Sequence, residues 1–513
     1  MGESATQHRL ASLGRRLAAA LAAMAVLSGC EVGPDFLRPS PPAVESYVSP
    51  QKPELGSAGA NEIAQRLKVG DAVIEGWWTL FHAPALDQVV QRAIADNRTL
   101  TAAKFTLAQA QQAVIQARGG LYPQIDLNAS AERQRTSASR ASQSTSSRAG
   151  GGSDIFNLFS VGPTVSYAVD VFGQTARRIE QQEALAENQR YQLAAAYLTL
   201  TGNSVAQAIT IASLRAQIGA IEEIVADDER NADLVRQQVA AGKAAQVDVL
   251  AAESQLANDR TQLPPLMQQL SAARHALSIL VGQFPGQWSV PDFDLSGFAL
   301  PADLPLTLPS ELVHRRPDIL AAESTLHANS AAIGVATAQM YPSLTLSGSV
   351  GTESLKTDTL FEHSTMFWSL ALGIAAPIFH GGALEAQREG AVDAFQASFA
   401  TYQQTVLQAF AQVSDTLRAL EHDAQLIDDE RNALDASESS LRLQQLSYAA
   451  GKTNLLQLLD AERVYQQARL GYERAEAQRY QDTAQLFLAM GGGWWDAADV
   501  VSPPPNPAVS TGP

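Results

Sequence analysis

The chain has 513 residues, enough for one large core or several domains, so its size excludes little. Its formal net charge of −17 at pH 7 argues against a nucleic-acid partner, because neutralising phosphates requires clustered Lys and Arg. The only cysteine, Cys30, leaves no possibility of a disulfide or of a cysteine metal site within one chain.

Residues 1–29 predict a secretory signal peptide. A pair of arginines precedes the apolar run LAAALAAMAVLSG, which is too short to span a bilayer but suits a signal sequence. The run ends in Leu-Ser-Gly-Cys30, which resembles the lipobox of bacterial lipoproteins. That resemblance implies an N-acyl group and an S-diacylglycerol group on Cys30, and Glu31 at the next position favours the outer membrane. A signal peptide that ends by chance at a cysteine is the alternative.

The mature chain repeats itself. The stretch Ala240–Glu253 is echoed at Ala449–Glu462, and Tyr122-Pro123 is echoed at Tyr341-Pro342. The second pair lies ten residues further apart than the first, which places a longer loop in the first repeat. The predicted organisation is an N-terminal extended segment (30–75), a first repeat (76–282), a Pro-rich linker (283–309), a second repeat (310–490) and a C-terminal tail (491–513).

Each repeat contains two stretches in which apolar and polar residues alternate, the pattern of a two-faced β-strand. In the second repeat, the Leu and Val of YPSLTLSGSVG alternate with Ser and Thr. Four strands are predicted near 121–130, 160–172, 341–350 and 367–379. Their length of about ten residues suits a tilted membrane strand. Two hairpins in a soluble domain are the alternative, and the signal peptide with its lipobox favours the membrane.

Two long segments, Gln174–Ala241 and Ala383–Ala450, contain no proline, and each predicts a helix about 100 Å long. The second carries apolar residues at an unbroken period of seven, which predicts a left-handed coiled coil. These positions are Val392, Phe399, Val406, Val413, Leu420, Ile427, Leu434, Leu441 and Tyr448. Each helix is expected to turn at Ala-Gly-Lys and run back, with Pro264-Pro265 interrupting the first return helix. No later segment has 18 consecutive apolar residues, so no transmembrane helix is predicted.

Four strands cannot close a barrel, and an open sheet edge in lipid leaves backbone groups without hydrogen-bond partners. Several chains are therefore expected to share one barrel. Two chains would give eight strands and a filled interior, whereas three would give twelve strands and room for a pore.

The chain resembles the TolC-like outer-membrane factors, in the lipoprotein branch typified by OprM and the NodT-like proteins. The motifs that carry the resemblance are GCEVGPDFLRP (29–39), GWWTLFHAPALDQVVQRAIADN (76–97), SYAVDVFGQTARR (166–178), LPSELVHRRPDILAAE (308–323) and the two Ala-Gly-Lys turns. The implied fold class is mainly α with membrane β. It combines a long antiparallel coiled-coil α-helical barrel with four strands per chain, which contribute to a shared twelve-stranded trimeric β-barrel.

The resemblance also implies a function and partners. The expected protein is a homotrimeric exit duct, lipid-anchored in the bacterial outer membrane and extending into the periplasm. A periplasmic adaptor and an inner-membrane RND-type pump would deliver drugs or other small solutes to it. The alternatives are a protein-secretion channel and a non-conducting coiled-coil envelope protein. We find no catalytic or metal-binding motif in the sequence, and we expect neither an enzyme nor a cofactor beyond the lipid.

The implied site residues lie at the two turns. Adaptor docking is expected at Gly242, Lys243, Gly451 and Lys452, although both glycines could simply end helices. By position, Asp460 matches the aspartate of the family's constricting ring, and Asp248 and Tyr448 match its closing network. Gln457 stands where TolC itself has a second ring aspartate. Leu455, Leu456, Leu458 and Leu459 would pack the closed tip. The alternative is that Asp460 is an ordinary solvated charge on a helix face.

Overall fold

The computed structural model describes residues 31–44, 46–48, 54–55, 65–135 and 155–497. The predicted signal peptide and Cys30 lie outside these residues. The chain forms two compact units. The strand unit comprises residues up to Arg38 together with Ala110–Ala186 and Ser324–Ala400, and the helix unit comprises Pro39–Gln109, Glu187–Glu323 and the residues from Thr401 onward. Each unit takes corresponding pieces from both sequence repeats, so the repeats are not themselves the compact units.

The described residues contain seven strands, which form two sheets. The strands are β1 (Glu54–Leu55), β2 (Gln65–Val69), β3 (Gln124–Arg135), β4 (Ile155–Val169), β5 (Asp303–Leu306), β6 (Ser343–Ser354) and β7 (Met366–Ala375). In the strand unit, four antiparallel strands follow the order β3-β4-β6-β7. The β4–β6 pairing joins the hairpin of the first repeat to that of the second. In the helix unit, β2 pairs with β1 and, in parallel, with β5, which joins the N-terminal segment to the linker.

The strand ends differ from those predicted. Strand β3 begins only at Gln124, since the chain before it forms a 3₁₀ turn at Gly119–Leu121, closed by a hydrogen bond from the N–H of Tyr122 to the carbonyl of Gly119. Strand β4 stops at Val169, since Asp170 turns to accept a hydrogen bond from the Ala176 N–H at the start of the next helix. The fourth strand was expected to reach residue 379 but ends at Ala375, and two residues later Pro377 has no N–H to donate to a ladder.

The four-stranded sheet has one polar and one apolar face. On the polar face, side chains bond across neighbouring strands: Ser130 to Ser160 at 2.8 Å, and Ser349 to Ser369 at 2.7 Å. The other face carries large apolar side chains that are exposed in one chain, namely Ile125, Leu127, Leu346, Val350, Trp368, Leu370, Leu372 and Ile374. The predicted two-faced character is confirmed.

The helices are α1 (Pro84–Asp96), α2 (Arg98–Arg118), α3 (Gln174–Ala240), α4 (Gln246–Arg260), α5 (Leu263–Leu280), α6 (Pro309–Leu312), α7 (Pro317–Ala338), α8 (Ala383–Ala449) and α9 (Leu455–Ala489). The long helices α3 and α8 therefore match the predicted proline-free segments to within one residue. The predicted interruption at Pro264-Pro265 is also confirmed. Both prolines lie in the first turn of α5, where a missing N–H costs no helical hydrogen bond.

The predicted heptad positions of α8 lie inward. Each of the nine is buried or half-buried in the chain, as a coiled-coil seam requires. The largest core cluster of the helix unit centres on aromatic side chains, with Trp77 stacked on Phe487 at 5.3 Å between ring centres. Among the described helices, none has a stretch long and apolar enough to cross a membrane.

Candidate functional site

The two Ala-Gly-Lys turns have the same backbone geometry. The N–H of Lys243 bonds the carbonyl of Gln238 at 2.8 Å, and the N–H of Lys452 bonds that of Ser447 at 2.9 Å. Gly242 and Gly451 have φ of 71° and 69°, in the left-handed region. These are the bonds and the dihedral of a Schellman helix end, which favours glycine because a Cβ is strained there.

The space around both turn glycines is open. A Cβ built on Gly242 or Gly451 would meet no atom within 4 Å. Neither glycine is therefore needed for close packing inside one chain, and the helix-end geometry alone accounts for both. Docking of a partner at these turns stays a prediction.

Asp248 and Asn454 cap the two return helices. The Asp248 carboxylate accepts a hydrogen bond from the N–H of Ala245 at 3.0 Å, which completes the first turn of α4. At the start of α9, Asn454 accepts from the N–H of Gln457 at 3.0 Å, and the Gln457 amide oxygen accepts from the Thr453 hydroxyl. Asp248 and Gln457 thus both stabilise the starts of return helices.

Tyr448 connects the ends of the two long helices. Its hydroxyl donates to the Gln238 side chain at 3.0 Å, which ties α8 to α3. Burial, and after it the negative charge of Asp248, raises the pKa of Tyr448. The structure therefore brings Tyr448 within range of the Asp248 charge and bonds it to Gln238, while the role of these residues in a closing network stays a prediction. Sequence reasoning missed Gln238, although the repeat aligns it with Ser447, whose carbonyl closes the second turn.

Asp460 occupies a different environment. Its side chain is 64% exposed in one chain and pairs with Arg463, one helical turn along α9, at 2.7 Å. Within the described part of the chain, its carboxylate bonds neither Asp248 nor Tyr448. Its membership of a ring between chains stays a prediction.

An apolar cluster, here called the tip cluster, lies beside the turns. It consists of Ala232, Val235, Val249, Ala252, Leu455, Leu458 and Leu459. Three of the four predicted leucines are therefore buried at the tip. Leu456 is not: it lies to one side of this buried face of α9 and is 74% exposed in one chain. Its packing in a closed tip between chains stays a prediction.

A group of buried carboxyls next to the tip cluster was not predicted. Asp228 on α3, Asp259 on α4 and Glu462 on α9, here called the carboxyl layer, are all at least nine-tenths buried. The available signal was periodicity. Asp228 lies four residues before the buried Ala232, and Glu462 lies three residues after Leu459, so both fall on the apolar stripes of their helices.

The residues that follow Cys30 are held in place within the strand unit. The buried Arg177 of α3 donates to Asp35 at 2.7 Å and to Glu180 at 2.8 Å, and Nε donates to the carbonyl of Val32. Gly33 packs on Gly334 of α7 so closely that a Cβ on Gly33 would lie 2.4 Å from the Cα of Gly334. These contacts fix the segment directly after the predicted lipid site.

We expect Gly334→Ala to destabilise the protein by about 1–3 kcal/mol, because the new methyl group would lie 2.8 Å from the Arg177 side chain. Gly390 of α8 is the matched control, since a Cβ there meets nothing within 4 Å. Gly390→Ala should instead stabilise by up to about 1 kcal/mol through helix propensity. Thermal unfolding measures both changes, and equal effects at the two positions would contradict the packing argument.

Comparison with known proteins gives consistent matches along the chain. A family model described as "Outer membrane efflux protein" matches residues 89–283 and 308–492. The pyoverdine export outer membrane protein OpmQ of Pseudomonas aeruginosa is 30% identical over 423 residues, covering 82% of this chain and 88% of OpmQ. The probable efflux pump outer membrane protein TtgC of Pseudomonas putida is 28% identical over 474 residues, covering 92% of this chain and 94% of TtgC.

A solved structure extends the likeness to three dimensions. The open state of the Neisseria gonorrhoeae MtrE outer membrane channel matches with a TM-score of 0.77 and 27% sequence identity. The match covers 90% of this chain and 98% of MtrE. The long helices and the four-stranded sheet are therefore shared with an outer membrane channel.

Proposed function

This chain belongs to the outer membrane efflux protein family, and from that premise we propose that it forms the outer-membrane exit duct of a tripartite efflux system. The names of OpmQ and TtgC place those relatives in the outer membrane, and the likeness to MtrE extends to the whole fold. In this role the protein conducts small solutes passively, and no catalytic step belongs to it.

The observation that carries the proposal is the two-faced sheet, whose two edge strands each lack a neighbour on one side in the described chain. In the described sheet, β3 and β7 each pair on one side only. A row of unpaired backbone groups is costly in lipid, so these edges require strands from other chains. Three chains supply twelve strands, whose polar faces line water while the exposed leucines and Trp368 meet lipid. The proposed assembly is therefore a homotrimer.

The experiment that tests this role is conductance. Purified full-length protein, shown by cross-linking to be trimeric, should open ion-conducting channels in planar lipid bilayers. A trimer that inserts but never conducts would favour a coiled-coil envelope protein instead.

The proposed partners are a periplasmic adaptor at the two Ala-Gly-Lys turns and, behind it, an inner-membrane pump of RND type. The open space around Gly242 and Gly451 supports the first part, because another backbone can approach the turns closely. Lys243 and Lys452 offer one cation at each turn for acidic or carbonyl groups of that adaptor.

Lipid on Cys30 is also part of the proposal. The contacts of Arg177 and Gly334 with the segment after Cys30 support it, because they hold the chain directly next to the modified residue. Two or more acyl chains make a stable anchor, since each buried methylene contributes about 0.8 kcal/mol.

We expect Cys30→Ser to abolish acylation and to leave residues 1–29 attached, because the lipoprotein peptidase acts before a lipidated cysteine. Intact-mass analysis of membrane-extracted protein measures both effects. Trimers should still assemble, since the shared barrel is itself an anchor. An unmodified cysteine in the wild-type protein would contradict the proposal.

A further inference from the structure

The carboxyl layer separates two apolar clusters along the same helices. On one side is the tip cluster, and on the other is a cluster of Ala220, Ile221, Ile224 and Leu470, here called the upper cluster. Asp228 lies on α3 between Ile224 and Ala232, and Glu462 lies on α9 between Leu459 and Leu470. Three acidic groups from three helices thus face one another at a level where a coiled coil ordinarily packs apolar side chains.

The three carboxyls are not equally satisfied. Asp259 accepts three amide hydrogen bonds, from Gln255 at 2.8 Å and from Gln262 and Gln466 at 2.9 Å each. Both of its oxygens therefore have side-chain donors. Asp228 and Glu462 are only 3% and 7% exposed, and each has one oxygen that bonds no other described residue.

The arginine nearest in sequence to each of the three carboxyls pairs outside the layer. Arg230 bonds Asp227, Arg260 bonds Glu229, and Arg463 bonds Asp460, all on exposed surface. The groups that act on Asp228 are Asp259 of α4 and Glu462 of α9. Those that act on Glu462 are Asn231 of α3, whose amide donates to it, and Asp259. In the described part of the chain, the layer therefore contains acids and amides, and none of the groups that act on Asp228 or Glu462 is a cation.

These surroundings favour bound protons. Burial raises the pKa of Asp228 to about 8, and the hydrogen bond and charge of Asp259 and the charge of Glu462 add to it. Burial raises the pKa of Glu462 to about 7, against the Asn231 hydrogen bond, with the charge of Asp259 adding to the rise. A protonated Asp228 has a hydroxyl to donate to Asp259, which uses the oxygen that otherwise has no partner.

We propose that the carboxyl layer is a proton-binding site that joins α9 to α3 and α4, and that loss of its protons loosens the helix that carries Asp460. When Asp228 and Glu462 are protonated, they hydrogen-bond to their neighbours and pack between the two apolar clusters. When both are ionised, the carboxylates of the layer repel one another where no described cation and little water can screen them. The link to the channel end rests on the proposed function, whereas proton binding itself does not.

The sign of the pH dependence follows from the raised pKa values. The folded protein holds protons that the unfolded chain releases near pH 4, so the contribution of the layer to stability is complete below that pH. It is lost as pH rises through about 7 to 8, where Glu462 and Asp228 ionise in the folded state. The expected direction is lower thermal stability at alkaline pH.

Asp228→Asn is the test variant, because asparagine resembles the protonated acid in shape and cannot ionise. Full-length trimers in detergent should unfold at a temperature several degrees lower at pH about 9 than at pH about 6. Asp228→Asn should reduce that difference and should exceed wild type in stability at the higher pH. Glu462→Gln should act in the same direction, which protects the test if one variant folds poorly.

Asp227→Asn is the matched control. It makes the same chemical change one residue away, on an exposed side chain paired with Arg230. Its pH dependence should equal that of wild type. Asp423 forms a second carboxyl pair with Asp482: burial raises the pKa of Asp423 to about 7, Asp482 adds to the rise, and Arg479 lowers it. Asp423→Asn therefore measures how much of the pH dependence comes from this other pair. A pH slope in Asp228→Asn identical to wild type overturns the proposal.

Infrared spectroscopy reports the protons directly. A carboxylic-acid C=O band should persist at pH about 7 in wild type and in Asp227→Asn, and it should weaken in Asp228→Asn. An unchanged band in Asp228→Asn overturns proton binding. In planar bilayers, conductance should rise with pH in wild type and stay flat in Asp228→Asn. Absence of conductance from every variant would refute the exit duct, while the infrared and unfolding results would still decide the proton site.

Discussion

We expect Gly451→Trp to abolish efflux while trimers remain at wild-type level in the outer membrane. Gly451 ends α8 with φ of 69°, and the space around it is open in the chain. An indole there would occupy the space through which a partner backbone must approach. A drug-susceptibility assay in cells that depend on this duct measures efflux, and cross-linking of outer-membrane fractions measures trimers.

Two controls separate blocked docking from backbone strain. Gly451→Asn adds a small side chain that tolerates a positive φ, so efflux should be retained. Gly70→Trp places the same indole on another glycine with a positive φ, 94°, and with no atom within 4 Å of a Cβ. That variant should also retain efflux. Normal efflux in Gly451→Trp would show that the partner does not dock at this turn.

Removal of the Asp460 carboxylate should raise single-channel conductance severalfold and weaken block by multivalent cations. In the proposed trimer, one Asp460 per chain would give three carboxylates around one axis, and their summed field would bind cations there. The pairing with Arg463 neutralises this charge only in part, because both side chains are at least half exposed. Conductance of Asp460→Ala trimers in planar bilayers measures the change.

Asp233→Ala is the matched control for this experiment. Asp233 lies on α3, is 66% exposed and pairs with Arg236 at the same i,i+3 spacing. Its removal deletes the same charge from a comparable helix face and should leave conductance and block unchanged. Equal behaviour of Asp460→Ala and wild type would identify Asp460 as an ordinary surface charge.

The long helices were predictable because their signals are local and repeated. The apolar residue at every seventh position from Val392 to Tyr448 indicates which face of the helix lies inward. The proline-free stretch indicates where each helix begins and ends. The strands were placed correctly, but their ends were not. The end of a strand depends on neighbours distant in sequence and on local turns such as the one at Asp170.

The turns of the candidate site were also predictable, since a helix end with φ above zero favours glycine at positions 242 and 451. The carboxyl layer was not. Acidic residues in a coiled coil ordinarily lie in solvent, and only its position on the apolar stripe of α3 distinguishes Asp228 from the exposed Asp227 beside it. Likewise, four leucines lie within five residues at the start of α9, and the sequence does not show which of them faces solvent, so the exposure of Leu456 was not predictable.

The β4–β6 pairing has a consequence for biosynthesis. Val165 pairs with Gly348, so these partners emerge from the ribosome about 180 residues apart. Until the second half of the chain is made and exported, the first hairpin keeps an edge that can bind foreign strands. Loop closure over such a distance also makes this pairing slow. We therefore expect the newly exported polypeptide to need chaperones that shield β4 until β6 arrives, and depletion of those chaperones should cause aggregation before trimers form.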